Sequence, residues 1–512
     1  FFVFKMKEVK CNNSDRNPIN IEFDRSDETL EDKEVEVFRI EEVFKQAGGF
    51  GMFQWIYCSI ATILFMPAGV FIYNQNFLTL KQVMMCPNPA GGSWLCEEGD
   101  REIDPCHNGE FIEGVYADFS NPKSLHNWIT ELDMFCLPPF RISLFGALYF
   151  TGILFGMTIL AITSKYGRRI NLIVSSWAMV GVTILLVVVS NLYARYFGMF
   201  LLGVLMIQKI TTYIVAIELT PFKNQIAIAT VILAVDNATF AVTSLYFKFI
   251  SDDWRYLGYF AIGFSLLCAI GSLFLPESPR FLVEKGDYTK ARAIFNRMAT
   301  MNKADLNLKH WKFSSEASSK SQSTFKKQSS SNSISEELLT QASPNSSKDN
   351  PFKYVISNPK LGISLLIVTI SWIACSFNYY LISYDIKNLG GNLFINAIII
   401  SIASVVGTLI TLCFRKYFSS KISLIACFSV VLVFGFGLII FREGWIVSLC
   451  VAMVLMGLGG AFTLVYFVNN EYFPPLFLGF AFSVTQFGSR GMTIMSYLMS
   501  DLEEPIPMII LC

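Results

Sequence analysis

The chain has 512 residues, 53% hydrophobic and only 16% charged, with 40 basic and 40 acidic side chains that cancel. Soluble domains are about a quarter charged, whereas apolar stretches of about twenty residues, enough to cross about 30 Å of hydrocarbon as helix, recur here; the composition excludes a soluble globular protein and implies a polytopic one whose partner is the lipid bilayer. Balanced charge without a basic run excludes nucleic acid as a partner, three histidines exclude a polyhistidine metal centre, and without a P-loop, a nucleophile elbow or a zinc-protease motif nothing supports catalysis, a metal or a cofactor.

In chain order, residues 1–50 are polar, acidic between Asp24 and Glu42, and read as a cytoplasmic N-terminal tail. The start carries no signal-peptide core, so the first membrane helix is expected to direct targeting. Apolar segments follow at about 51–76, 141–163, 170–189, 193–217, 225–250, 256–275, 360–382, 393–414, 421–441, 445–468 and 476–499. A partial twelfth opens at Pro505 and runs roughly a third of the length of a span, so the chain is expected to continue beyond Cys512.

Two long hydrophilic inserts divide the series. Residues 51–275 form a first six-helix bundle that includes the loop 77–140, residues 276–359 form a connecting loop, and residues 360–512 form a second, incomplete bundle. The connecting loop is basic at its start (Arg280, Lys285, Lys290, Arg292, Arg297) and then rich in Ser, Lys, Asn and Gln from Ser314 to Asp349, too poor in apolar side chains to order itself. Basic loops at Lys165, Arg168 and Arg169 and at Arg415, Lys416 and Lys421 face the cytoplasm by the positive-inside rule, which puts 77–140 outside the cell or organelle. Four cysteines, Cys86, Cys96, Cys106 and Cys136, fall in that loop; an even set in an oxidising compartment predicts two disulfides, with three pairings open.

An internal repeat supports the two halves: Glu218-Leu219-Thr220-Pro221 closes the fourth segment and Glu471-Tyr472-Phe473-Pro474 the tenth. Two such six-helix repeats resemble the all-α major facilitator fold, in which a solute site lies near the midplane between two rocking bundles. Phe50-Gly51-Met52-Phe53-Gln54 with Pro67-Ala68-Gly69, Thr130 to Cys136 (TELDMFC), Tyr166-Gly167-Arg168-Arg169 and Pro276 to Leu282 (PESPRFL) carry the likeness further. With them the chain resembles the organic cation, organic anion and carnitine transporters of that superfamily. Ser164 and Lys165 stand where the loop motif has an Asp-Arg pair, which is a departure from the pattern.

Within the spans, Arg490 is the sharpest candidate, because a cation deep in a membrane helix costs at least ~3 kcal/mol unless it faces a polar cavity or an anion. Its fork suits a carboxylate or sulfate, and the resemblance implies an arginine at this place in anion and carnitine carriers and an aspartate in many cation carriers. Lys209 and Asp236 are also deep, and are expected either to pair or to touch substrate or a coupling proton. Trp372, Tyr380 and Tyr384 of the seventh segment, the last two sharing a face, are candidates for stacking on a flat solute, and Gln54 is a further polar candidate. Glu218, Glu277 and Glu471 end helices beside Arg168, Arg169, Arg280, Arg415 and Lys421, which predicts gating bridges between the bundles on the cytoplasmic side. The sequence thus reads as an alternating-access carrier of small organic ions, anions or carnitine-like zwitterions, in the plasma membrane or an organelle. A sugar-porter-like or organic cation carrier and a non-transporting receptor are the alternatives; an enzyme is not expected.

Overall fold

The computed structural model describes residues 36–87, 93–98, 101–102, 105–107, 110–163, 166–304, 311–314, 316, 359–385, 393–441, 445–473 and 475–499. The predicted twelfth segment, most of the stretch from Ser314 to Asp349, Ser164 and Lys165 lie outside them. A short helix, α1 (Ile40–Gln46), leads into a first membrane segment broken into α2 (Met52–Leu64), α3 (Gly69–Ile72) and α4 (Gln75–Leu78). Pro67 has no N–H to continue the ladder, which accounts for the break. After the long loop, with its short α5 (Trp128–Glu131), come α6 (Pro139–Thr163), α7 (Arg168–Val188), α8 (Leu192–Val204) with α9 (Met206–Glu218), α10 (Phe222–Phe249) and α11 (Trp254–Ser272). Two polar helices, α12 (Pro279–Lys285) and α13 (Tyr288–Asn302), precede α14 (Pro359–Asp385), α15 (Leu393–Tyr417), α16 (Ser420–Ile440), α17 (Trp445–Tyr472) and α18 (Pro475–Met499).

Among the described residues nine helical stretches, α8 and α9 counting as one, are long and apolar enough to cross a bilayer. The broken first segment and α18 complete the eleven expected. Helix contacts are close enough to demand glycine: a Cβ on Gly203 would stand 2.0 Å from the Tyr149 carbonyl oxygen, and one on Gly407 2.0 Å from that of Met456. α10 packs along α15 and α6 along α18, which joins the halves.

The core is not uniform from one end of these helices to the other. At the end carrying the long loop, Phe77, Trp128, Phe145, Phe240 and Trp254 of the first half share one apolar cluster with Leu381, Phe394, Ile400 and Leu455 of the second. At the opposite end each half has its own cluster, one around Phe53, Leu219 and Phe295, the other around Val368, Trp372 and Val465. The halves therefore share one core on the long-loop side and keep separate cores on the other, where they touch through Tyr213 and Tyr466 with 5.9 Å between ring centroids.

The long loop is fastened by disulfides Cys86–Cys96 and Cys106–Cys136, which resolves the pairing. The TELDMFC stretch supplies the anchor. Glu131 takes the buried Arg195 guanidinium, the Trp254 indole N–H at 2.9 Å and the Ser190 hydroxyl at 2.7 Å, while Thr130 bonds back to Asn127 to cap α5. Asn127 in turn donates to the carbonyls of Phe77 and Leu80, tying the loop to the end of α4.

At the other end the structure departs from the solvated tail and loop read from the sequence. The strand Glu36–Phe38 pairs in parallel with Trp311–Phe313, and Val43 and Phe44 of α1 are buried, with Phe44 edge-on to Phe295 of α13 at 5.0 Å. Asn302 closes the unit, accepting from the Phe53 N–H at 2.9 Å and donating to the Ala47 carbonyl at 3.0 Å. The apolar positions of α1 and α13 are too short a signal to stand out in a polar context, but together they bury a stripe against α2.

Candidate functional site

A cavity of ≈ 50 Å³ lies between the halves. That is room for a few waters. Two interrupted segments shape it. The break at Pro67 presents Phe65 and Tyr73 to the cavity, and the Leu64 carbonyl left unpaired by the break accepts the Gln208 amide at 2.6 Å. Leu205 interrupts the fourth segment one turn before Lys209.

Lys209 Nζ donates to Asp236 Oδ1 at 2.6 Å, and the Tyr73 hydroxyl donates to Oδ2 at 2.7 Å. The ammonium also lies over the rings of Phe65, at 4.6 Å, and Tyr73, at 5.5 Å. Lys209 and Asp236 are 4% and 7% exposed, so the pair is out of water, and the expectation that these two deep charges find each other describes its geometry.

Arg490 stands across the same cavity, 4% exposed. It donates to the Tyr380 hydroxyl and faces Tyr466 and Tyr149. Its Nε and Nη1 have no hydrogen-bond partner, and among the described residues no carboxylate pairs with it. Two cations and one carboxylate thus line the cavity, a net charge of +1. Unlike Lys209, Arg490 is a buried charge without a counter-charge among the described residues.

The structure brings together Arg490, Tyr380, Lys209 and Asp236 from the sequence candidates. Trp372 is one layer back, edge-on to the lining residue Tyr466 at 4.6 Å. Gln54 is remote from the cavity: it caps α2 through the Gly51 N–H at 3.0 Å and reaches the Leu219 carbonyl at 3.4 Å. The side chain of Tyr384 lies outside the described residues. Sequence reasoning missed Tyr73 and Tyr466, which with Tyr379, Phe65 and Phe462 make the wall largely aromatic. Helix periodicity favoured Tyr384 as the partner of Tyr380, whereas the adjacent Tyr379 reaches the cavity as well because the site lies in the angle between two bundles.

The charged residues of the opposite end hold the first half together rather than bridging the two. The Glu277 carboxylate accepts the Arg168 N–H at 3.0 Å and that of Arg169 at 3.3 Å, capping α7. Gly167, at φ 125°, makes room, since a Cβ there would stand 2.5 Å from Glu277 Oε2. Arg168 pairs with Glu218 at 3.4 Å, and Arg280 with Glu41 at 2.6 Å and the Thr220 carbonyl at 3.1 Å. In the second half Arg415 lies over the Phe467 ring at 4.6 Å and Lys421 is exposed; the Glu471 side chain lies outside the described residues. Among the described residues these ion pairs, Arg168 with Glu218 and Arg280 with Glu41, lie within the first half.

A family model described as Major Facilitator Superfamily matches residues 117–496. The chain is 21% identical over 507 residues to the organic cation transporter-like protein of Drosophila melanogaster, covering 92% of this chain and 87% of that one. It is 22% identical over 412 residues to organic cation/carnitine transporter 2 of Homo sapiens, covering 78% and 67%, and 31% identical over 143 residues to the mouse facilitated glucose transporter member 12 of solute carrier family 2, covering 27% and 23%. Among solved structures, the partially occluded inward open xylose transporter XylE from E. coli superposes with a TM-score of 0.50 at 12% identity, over 91% of this chain and 92% of that one. The likeness to XylE shows the fold.

Proposed function

The chain belongs to the major facilitator superfamily, a multi-pass membrane transporter and not an enzyme, and on that premise we propose that its cargo is a small organic anion or a carnitine-like zwitterion bound through its acidic group at Arg490. The observation that carries this reading is the guanidinium itself, 4% exposed with Nε and Nη1 unpaired in a cavity of net charge +1. Those two nitrogens flank Nη2, one on each edge of the guanidinium plane, so each is a single free donor for an acidic oxygen of a carboxylate or sulfate. The aromatic wall suits a flat or quaternary-ammonium body. The named activities of the relatives, organic cation and carnitine transport, support a small organic ion as cargo. A hexose would need several amide or carboxylate partners, and Asn237 is the one amide of the lining.

In this reading the basic loops and the unit built from α1, α12 and α13 face the cytoplasm and the disulfide-bonded loop faces outward, at the plasma membrane. The conformer is then closed outward, and Arg168, Glu218, Glu277 and Arg280, engaged within the first half, would find partners across the gap when the inner side closes. Each such half-exposed pair contributes roughly 0–1 kcal/mol, enough in sum to bias a rocking equilibrium. The test is uptake by reconstituted vesicles offered labelled organic cations, organic anions, carnitine and hexoses. Saturable anion or carnitine uptake is expected; uptake of cations or hexoses alone refutes the assignment of Arg490, and no saturable uptake of any of them favours a receptor.

A further inference from the structure

We propose that Asn469 and Gln486 form a second station for the cargo on the inner side of the cavity, a neutral hydrogen-bonding site that takes the carboxylate or sulfonate head after it leaves Arg490. The inference rests on the carrier reading above and extends its site toward the cytoplasm. In α17 the lining residues Gly459, Phe462, Thr463 and Tyr466 recur at helical spacing, and Asn469 is the next step of that stripe, one turn nearer the inner end. In α18 Gln486 stands in the same relation to Arg490. Both amides are out of solvent, Asn469 0% and Gln486 2% exposed, yet neither is saturated. Asn469 Nδ2 and Oδ1 and Gln486 Oε1 have no hydrogen-bond partner among the described residues, while the Gln486 N–H donates to the Tyr466 hydroxyl. Asn127 shows how the chain treats an amide buried for structure: Oδ1 accepts from Gln82 and the Ile129 N–H, and Nδ2 donates to the Phe77 and Leu80 carbonyls. An amide left unpaired in the interior costs free energy, which a partner arriving in another step of the cycle offsets.

The cargo needs such a partner at this place. Tyr213, one turn inward of Lys209 on α9, meets Tyr466 across the halves with 5.9 Å between ring centroids. Around Asn469 the second half is apolar, with Val465, Val468 and Phe473 in one cluster. An anion moving inward from Arg490 therefore passes between two rings into a layer of hydrocarbon, and without hydrogen bonds there the guanidinium would hold it back. Asn469 offers two N–H donors and an acceptor, and the Gln486 amide offers either a donor or an acceptor according to its rotation. These groups replace part of the hydration of the acidic head without adding charge, so the head is held strongly enough to enter and weakly enough to leave. A second arginine at this level would be a trap, and an apolar residue a barrier. The Tyr466 hydroxyl, which faces Arg490 and takes the Gln486 N–H, links the two stations.

The experiment uses the full chain with radiolabelled benzenesulfonate, a permanently ionised probe that does not leak through lipid, and measures Asn469→Leu in three ways. Equilibrium binding in detergent, governed by Arg490, should stay within about twofold of the unmodified chain, whereas exchange across proteoliposomes preloaded with the probe should slow by about tenfold, the loss of one hydrogen bond to a charged group. The melting temperature should hold or rise, since an unpaired amide leaves the core. Saturable binding with unchanged exchange overturns the station and leaves the carrier reading standing. Binding weakened in proportion to exchange, or a melting temperature several degrees lower, also overturns it, because Asn469 would then belong to the Arg490 site or to the fold. Should Asn469→Leu fail to fold, Asn469→Cys decides. The anionic thiol reagent sulfonatoethyl methanethiosulfonate should label that variant above the background of the native free cysteines, and excess benzenesulfonate should protect it; no added labelling, or labelling indifferent to benzenesulfonate, overturns the proposal. No saturable binding of benzenesulfonate, benzoate or carnitine by the unmodified chain refutes the carrier reading, and the inner station with it.

Discussion

Replacing Arg490 by glutamine separates a functional from a structural arginine, because the two roles predict opposite changes in stability. In the functional case the side chain gives the cargo a charge-assisted hydrogen bond from Nε or Nη1, both unpaired in the empty site. At about 1.5–3 kcal/mol, its loss lowers uptake efficiency by about tenfold to a hundredfold. The empty protein moves the other way. An intramembrane arginine costs about 2.5–3.5 kcal/mol on insertion scales; here the bond to Tyr380 offsets part of it, worth about 1.5–3 kcal/mol as a bond to a charged group. A neutral glutamine should therefore stabilise the substrate-free protein by up to about 2 kcal/mol, a rise of a few degrees in melting temperature. Vesicle uptake and thermal unfolding in detergent, run on the same preparations, read the two effects. A variant that melts several degrees lower would mean that Arg490 is clamped by a permanent partner, and the argument for an anionic cargo would fall with it.

Three further outcomes follow from the packing. Glu131→Gln leaves the Arg195 guanidinium, 0% exposed, without its counter-charge, and should cost about 3–5 kcal/mol, read as a lower melting temperature and faster proteolysis of the long loop. Cys136→Ser opens a disulfide that spans 30 residues, an entropic loss of about 3–4 kcal/mol; mass spectrometry of the unmodified chain should find Cys86, Cys96, Cys106 and Cys136 all oxidised, and four free thiols would refute the pairing. Gly407→Ala drives a methyl group to 2.0 Å from the Met456 carbonyl, so α15 and α17 must separate at a cost of about 1–3 kcal/mol, measured as reduced expression and a lower melting temperature than Gly491→Ala, where a Cβ meets nothing within 4 Å.

The membrane helices were legible because each is a long apolar run between charged or turn-forming residues: the segments expected at 225–250 and 393–414 are α10 (Phe222–Phe249) and α15 (Leu393–Tyr417). The deep charges were legible for the converse reason, since Lys209, Asp236 and Arg490 interrupt such runs. What the sequence hid depends on neighbours brought together by folding. Tyr73 and Tyr466 look like any aromatic residue in a span, and only the break at Pro67 and the angle between the bundles turn them to the cavity. Gln54 misled because a buried amide in a membrane helix invites a functional reading, whereas here it caps the helix. The unit formed by α1, α12 and α13 was hidden because its apolar stripe is assembled from segments more than 200 residues apart, Phe44 meeting Phe295.

The molecule supplies its own control for the reading of Arg490. Arg195 is another buried arginine, but it is met by the Glu131 carboxylate and lies over the rings of Trp128, at 5.1 Å, and Trp254, at 4.9 Å. It also donates to the Val189 carbonyl at 3.2 Å. A charge placed for stability is thus surrounded by an acceptor, a counter-ion and ring faces, and it sits where the two halves share one core. Arg490 has phenols around it, no carboxylate among the described residues, and two nitrogens without partners. It lies where the shared core gives way to separate ones. Among the described residues the chain therefore neutralises a buried guanidinium where nothing needs to move and leaves one unneutralised beside the cavity, at a cost in free energy that a migrating anion can offset and a static scaffold cannot.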